Sequence, residues 1–358
     1  MVQDIVFHLG DCKTGTTSIQ SALAHQSWTH PSATVCYPAQ VNHIPLAKTL
    51  TTDSEKPFEA KRFSQVVKAF RRSDARHGVI SAEHFEFVDP HLVDKAIKKH
   101  FGRDAAKVRL VAYVRPHADR FVSTFAERAK KGLFQGSMMR LHERMKNNQF
   151  LIYAPRFETW RSLFGERFTL RPFVRSDLYH SDVVEDFLHY LFADDQFALK
   201  DVAATNESLS VQDIAMMRGL HKELRELGMP QGKTNEQFGW YMSDLLAAMP
   251  YPDGPIKPAM PKGLAREFTT LYAEDAARLD EVFFQGTPMS DALQAAPDKA
   301  VAKGVSFQAE DHFNAVELRQ IKVWAQMLHR LMAADPEHFN WAVRSPDHRS
   351  DQPPRNRA

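Results

Sequence analysis

Apolar residues in the first half of the chain come in short unbroken runs rather than in alternation with polar ones. The segment from Asp4 to Leu9, with IVFHL closed by Gly10, reads as a strand buried on both faces, and GVIS (78–81), VRLVAYV (108–114) and RFTLRPF (167–173) have the same character. Runs of this kind belong to parallel sheets covered by helices. Each is followed by a segment with apolar residues three and four apart. That alternation predicts right-handed crossovers and an α/β fold: a three-layer α/β/α sandwich with a central parallel sheet.

Between the first two of these strands lie a loop rich in Pro and His (29–57) and a predicted helix from Phe58 to Ser73. After Leu170 the pattern turns helical: VVEDFLHYLF, VQDIAMMRGLHKELRELG, EQFGWYMSDLLAAM, GLAREFTTLYAEDAARLDEVFF and VELRQIKVWAQMLHRLM all carry helical apolar spacing. Stretches broken by Pro and Gly, 250–263 and 286–306, read as linkers between helices. The expectation is one domain over residues 1–345, mostly helical from about 210 onward, followed by a flexible tail at 346–358.

Composition changes this picture little. No run approaches the roughly 18 apolar residues of a membrane span, and the chain opens on a core-like strand rather than on a secretion signal. Two cysteines among 358 residues, Cys12 and Cys36, are too few for a disulfide framework. A cytoplasmic setting is expected. The net charge of +2 conceals an asymmetry, because residues 95–175 hold 19 Lys and Arg against 6 Asp and Glu. This is either a solvated helical surface or a basic cleft for an anion. Nucleic acid is not expected as a partner, since aromatic residues are not interleaved as stacking platforms. The 17 histidines fall in no H-E-x-x-H or C-x-x-C frame, so no metal is implied.

The candidate chemistry begins in HLGDCKTGTTSIQSAL. A strand ends at Leu9, Gly10 and Gly15 bracket a tight turn, and Thr16, Thr17 and Ser18 open a helix. Such a turn aims backbone N–H groups at one point. The helix N-terminus adds the positive end of its dipole, hydroxyls add donors, and Lys13 adds a formal charge, so phosphate or sulfate is favoured. The pattern departs from G-x-x-x-x-G-K-S/T of ATP- and GTP-binding loops, because Thr16 stands where the lysine belongs. A second candidate is VRLVAYVRPHADRFVSTF, with Arg115 at a strand tip and Ser123 eight residues on, in a helix beginning near His117. Ligands of open α/β sheets bind at such strand ends.

The string KTGTTSIQ, Lys13 to Gln20, together with the Arg115/Ser123 segment about a hundred residues later, resembles the sulfotransferases that use 3′-phosphoadenosine-5′-phosphosulfate, especially bacterial members. The resemblance implies a P-loop nucleoside-triphosphate-hydrolase-like core. It implies that Lys13, Thr14, Gly15, Thr16, Thr17 and Ser18 hold the 5′-phosphosulfate, with Lys13 stabilising the leaving oxygen, and that Arg115 and Ser123 hold the 3′-phosphate. The product would be adenosine 3′,5′-bisphosphate. The likeness extends more loosely to LRPFVRSDLYHSDVVEDFL and to TNESLS (205–210). A late Lys-Gly segment found in relatives has only Lys262-Gly263 and Lys303-Gly304 as counterparts.

Transfer to a hydroxyl or amine also needs a base. Glu83 and His84 follow GVIS, where an acceptor would approach. By resemblance Glu83 is the first choice and His84 the second, and a surface or helix-capping carboxylate is the plain alternative for Glu83. His8, inside an apolar strand, reads as a core histidine, and both thiols read as incidental. The acceptor class stays open among saccharide, lipid headgroup and small metabolite. Two other functions remain in play: a nucleotide kinase, and a nucleotide-binding module without catalysis.

Overall fold

DIVFH becomes the central strand because every residue after Asp4 can be buried: Ile5, Val6 and Phe7 are at most 1% exposed, and His8 is fully buried. This strand, β1 (Asp4–His8), runs parallel to all its neighbours. The others are β2 (Val35–Cys36), β3 (His77–Ser81), β4 (Val108–Val114) and β5 (Phe168–Pro172), in the order β2-β3-β1-β4-β5. Register pairs Asp4 with His77 and His8 with Ser81 on one side, and Ile5 with Val108 on the other. The expected parallel α/β architecture is therefore present. A two-residue edge strand, β2, lies inside the segment read as a loop. Its length leaves no periodicity to detect, and it is fixed by pairing of Val35 with His77 and Cys36 with Gly78.

The computed structural model describes residues 2–200, 209–229, 232–249 and 255–344. TNESLS lies outside these residues except for its last two, and the tail at 346–358 lies wholly outside. Ser210 caps the helix Val211–Glu226 in a capping box with Asp213.

Packing divides the chain into two units. The first comprises Met1–Arg120, Leu151–Ala203 and Phe268–Ala295, and holds the sheet. Its main helices are α1 (Thr16–His25), α2 (Glu59–Arg72), α3 (Pro90–Phe101), the start of α4 (His117–Lys130), α5 (Ala154–Phe164), α6 (Val183–Phe192) and α7 (Ala273–Phe283). On one face of the sheet Val6, Val79, Val111 and Tyr113 meet Ile19 and Leu23 of α1 and Phe187 and Leu191 of α6. On the other, Phe7 packs edge-on to Phe101 of α3 at 5.8 Å, and Phe101 meets Phe70 of α2. Phe168 of β5 stacks on Phe157 of α5 and edges against Phe283 of α7. The three layers follow from these apolar faces.

The second unit, Phe121–Phe150, Ala204–Glu267 and Ala296–Ala358, is helical where described. Its core joins Leu220 and Leu224 of Val211–Glu226 to Phe238 of Lys233–Ala248 and to Ile321, Ala325 and Met332 of Ala315–Ala334. The helical C-terminal additions expected from the spacing are present. Among the described residues no helix is long and apolar enough to cross a membrane.

Candidate functional site

After β3 the chain passes over β1 to form β4, so the carboxyl ends of β1 and β4 flank the point where strand order reverses. That crevice is where open parallel sheets bind ligands. The loop 9–15 emerges there. It first continues the ladder, with Leu9 N–H donating to Val111 O (2.9 Å), Asp11 N–H to Tyr113 O (3.0 Å), and Tyr113 N–H to Gly10 O (2.8 Å). Gly10 has φ +86°, and a β-carbon there would lie 2.8 Å from Glu83 Cα, so only glycine permits this contact between loop and β3 end. Gly15, with φ +75°, is the N-cap of α1, and a β-carbon there would strike Val183 at 2.6 Å.

The loop carbonyls are tied back. Thr14 Oγ1 and Thr16 Oγ1 both donate to Asp11 O, at 2.6 and 3.1 Å. Arg120 Nη1 donates to Cys12 O, and Arg115 Nη1 to Lys13 O at 3.0 Å. Thr14 and Thr16 are buried and their hydroxyls serve the loop, so their N–H groups are what they offer an anion. The N-terminus of α1 has no side-chain cap and no acidic residue in its first turn. Its first N–H groups have no acceptor within the helix. Thr17 is exposed and Ser18 half-buried on that turn.

Beneath the loop lie four charges that local sequence reading did not single out. Arg156 forks onto Asp11 at 2.8 and 2.6 Å, and Arg120 Nη2 forks onto Glu86 at 2.7 and 3.0 Å. Glu86 also accepts from Cys12 N–H at 3.0 Å. Burial would raise the Glu86 carboxyl, but Arg120 and Arg156 outweigh it and hold the group below its usual range. For Asp11 burial wins over Arg156 and pushes the carboxyl up. Burial and the Glu86 charge raise the Cys12 thiol, which suits an unreactive role. The partners are 145 residues apart in one pair and 34 in the other, so no local motif announces them. The one clue was Arg120 itself, in the helical segment behind Arg115.

Arg115 therefore stands at the tip of β4 against the Lys13 backbone, 102 residues away in sequence, with its guanidinium 5.6 Å over the Phe173 ring. Burial lowers its pKa, against the opposing charge of Asp119. Ser123 lies farther along α4, half-buried, in the stretch assigned to the second unit. Pro116 precedes α4, which begins at His117 as expected. His117 Nε2 lies 2.9 Å from Asp275, whose carboxylate also accepts N–H bonds from Tyr153 and Ala154.

Glu83 opens the short 3₁₀ turn Glu83–Phe87 after β3. Its Oε2 accepts from Gln20 Nε2 at 2.9 Å. His84 is half-buried beside the Phe87 ring at 5.9 Å. His8 is fully buried with Nδ1 2.8 Å from Ser81 Oγ, and burial lowers its pKa to about 3, the behaviour of a neutral core histidine. In the second unit His142, Glu143 and Glu267 bring ligand atoms within 4.8 Å of one another. Lys146 lies 4.0 Å from Glu143 and 3.8 Å from Glu267, so those carboxylates already face a cation.

No family model matches the chain, and neither does any curated protein. Among solved structures the chain is similar to a sulfotransferase from Alicyclobacillus acidocaldarius, with a TM-score of 0.47 and 14% identity, covering 82% of this chain and 100% of that one.

Proposed function

We propose that this chain is a sulfotransferase that moves a sulfuryl group from 3′-phosphoadenosine-5′-phosphosulfate to a hydroxyl or amine. The observation that carries this reading is the loop: its carbonyls are pulled inward by Arg115, Arg120, Thr14 and Thr16, while the uncapped first turn of α1 presents N–H groups that a helix cannot satisfy. Oriented amides of this kind hold a dianionic phosphosulfate without a metal ion. Arg115 supplies a second positive group beside the same loop and is assigned to the 3′-phosphate.

In the reaction the bond from sulfur to the bridging phosphate oxygen breaks and a bond from sulfur to the acceptor oxygen or nitrogen forms. Lys13 and the amides of Gly15 through Thr17 offset the charge growing on the departing phosphate. Glu83 takes the acceptor proton, and His84 is the second candidate for that step. A kinase would need its lysine at position 16. Thr16 is there instead, with its hydroxyl bonded to the Asp11 carbonyl.

The test is a calorimetric titration with adenosine 3′,5′-bisphosphate and, separately, ATP. The bisphosphate binds preferentially, and Lys13→Ala and Arg115→Ala each weaken it by about 10- to 100-fold, the range for hydrogen bonds to charged groups. Preference for ATP, or indifference to both substitutions, rejects the reading.

A further inference from the structure

Gln20 closes the KTGTTSIQ string, and its Nε2 turns to groups beyond the anion loop. It sits on α1 one turn beyond Thr16 and is 4% exposed. A buried carboxamide must satisfy its donors, and Gln20 Nε2 does so on two acceptors: Glu83 Oε2 at 2.9 Å and Ser81 Oγ at 3.3 Å. Ser81 Oγ in turn lies 2.8 Å from His8 Nδ1, and Ser81 N–H donates to His43 Nδ1 at 3.2 Å. Burial lowers His8 to about 3 and His43 to about 4, so both rings are neutral near pH 7. The chain His8, Ser81, Gln20 therefore reaches Glu83 without carrying any charge.

Three residues on, Glu86 is handled in the opposite way, by a guanidinium and a backbone N–H. A cation in contact stabilises the carboxylate and strips it of basicity, whereas a single neutral amide fixes orientation at a smaller cost to basicity. Tyr37 and Cys12 both feel the Glu83 charge, and both are pushed up, first by burial and then by neighbouring acidic charge that includes Glu83. Both stay neutral beside it. Gly10, pressed against the Glu83 backbone, supplies the second constraint.

We propose that Gln20 is the positioning residue of the base: it holds Glu83 Oε2 from behind, so that the remaining lone pairs face the acceptor. This rests on the reading of Glu83 as the base. The test measures kcat and donor KM for sulfuryl transfer across pH in Gln20→Glu and Gln20→Ala, beside binding of adenosine 3′,5′-bisphosphate. In Gln20→Glu two carboxyl groups touch and share a proton, so the acidic limb of kcat moves up by about one pH unit or more while nucleotide affinity stays within about twofold. Gln20→Ala lowers kcat about tenfold at unchanged donor KM, the mark of lost orientation rather than lost binding. Gln20→Asn, which keeps the amide one methylene short, shows a smaller fall of the same kind and serves if the alanine variant does not fold.

An unmoved pH profile, or a loss of nucleotide affinity equal to the loss of rate, overturns the inference. Absence of transfer by the unaltered protein rejects the sulfuryl-transfer reading instead. Carbon-13 NMR titration of the Glu83 carboxyl then decides the role of Gln20, with an upward shift in Gln20→Glu supporting it and none overturning it.

Discussion

Two arginine–carboxylate pairs mark opposite ends of the same sheet and are built differently. At the amino ends of the strands, Arg109 of β4 meets Asp4 of β1, with His77 of β3 at 3.1 Å, and the Arg109 and Asp4 side chains keep 31% and 23% of their exposure. At the carboxyl ends, Arg120 meets Glu86 with only 3% and 7% left exposed. The first pair closes the amino ends of two interior strands and keeps some water around it. The second is dry, and its arginine also holds a loop carbonyl. A charge pair that has lost its water must keep both members, because a lone buried charge costs far more than the pair contributes.

The largest break in this comparison is therefore Arg120→Met, expected to destabilise by about 3–5 kcal/mol because Glu86 is left buried and unpaired. Urea unfolding checks it, and a loss under about 1 kcal/mol would equate the two ends. Acid sharpens the contrast next. His8 and His43, both at the carboxyl end, have folded-state values near 3 and 4 against 6.5 unfolded. The unfolded chain takes up protons first, so stability is intact above about pH 6.5 and falls below it by about 1.4 kcal/mol per pH unit for each histidine. At the amino end burial would raise Asp4, but His77 and Arg109 outweigh it and hold it at about 2, so it stays ionised through that window. Unfolding free energies at pH 6.5 and 5.5 measure the slope, and a flat profile would contradict buried neutral rings.

Gly10→Ala comes third, at about 2 kcal/mol from the left-handed backbone alone, with a further contribution from displacing Glu83. Thermal unfolding together with bisphosphate titration separates the two, since on the proposed function a displaced loop also weakens bisphosphate binding. The smallest effect is Arg109→Met, about 1 kcal/mol or less with nucleotide binding unchanged, because Asp4 can still be hydrated.

The parts legible in the sequence share one property: their signal is local. β1, β3, β4 and β5 are apolar runs bounded by turn residues, and the predicted helix at Phe58 to Ser73 is observed at Glu59–Arg72. The loop and Arg115 were visible because strand ends, glycines and a helix start coincide within a few residues. Asp11 and Glu86 were not. A carboxylate read along the chain looks solvated, and only the fold supplies Arg156 from α5 and Arg120 from α4. Gln20 stands inside KTGTTSIQ, but its acceptor Glu83 is 63 residues away, beyond any local pattern. The unit boundary after Arg120 leaves no mark in the sequence, because it falls inside the helical run His117–Lys130.

One helix, α1, carries both the amides at its tip and the glutamine one turn below, so the separation of those two groups is set by the rise of four residues, about 6 Å. An α-helix stretches very little, and on the proposed function it acts as a gauge block between the anion-binding amides and the residue that positions Glu83. On the same reading, residues elsewhere around the strand ends can change over evolution, or under engineering, to admit new acceptors while that spacing keeps its length.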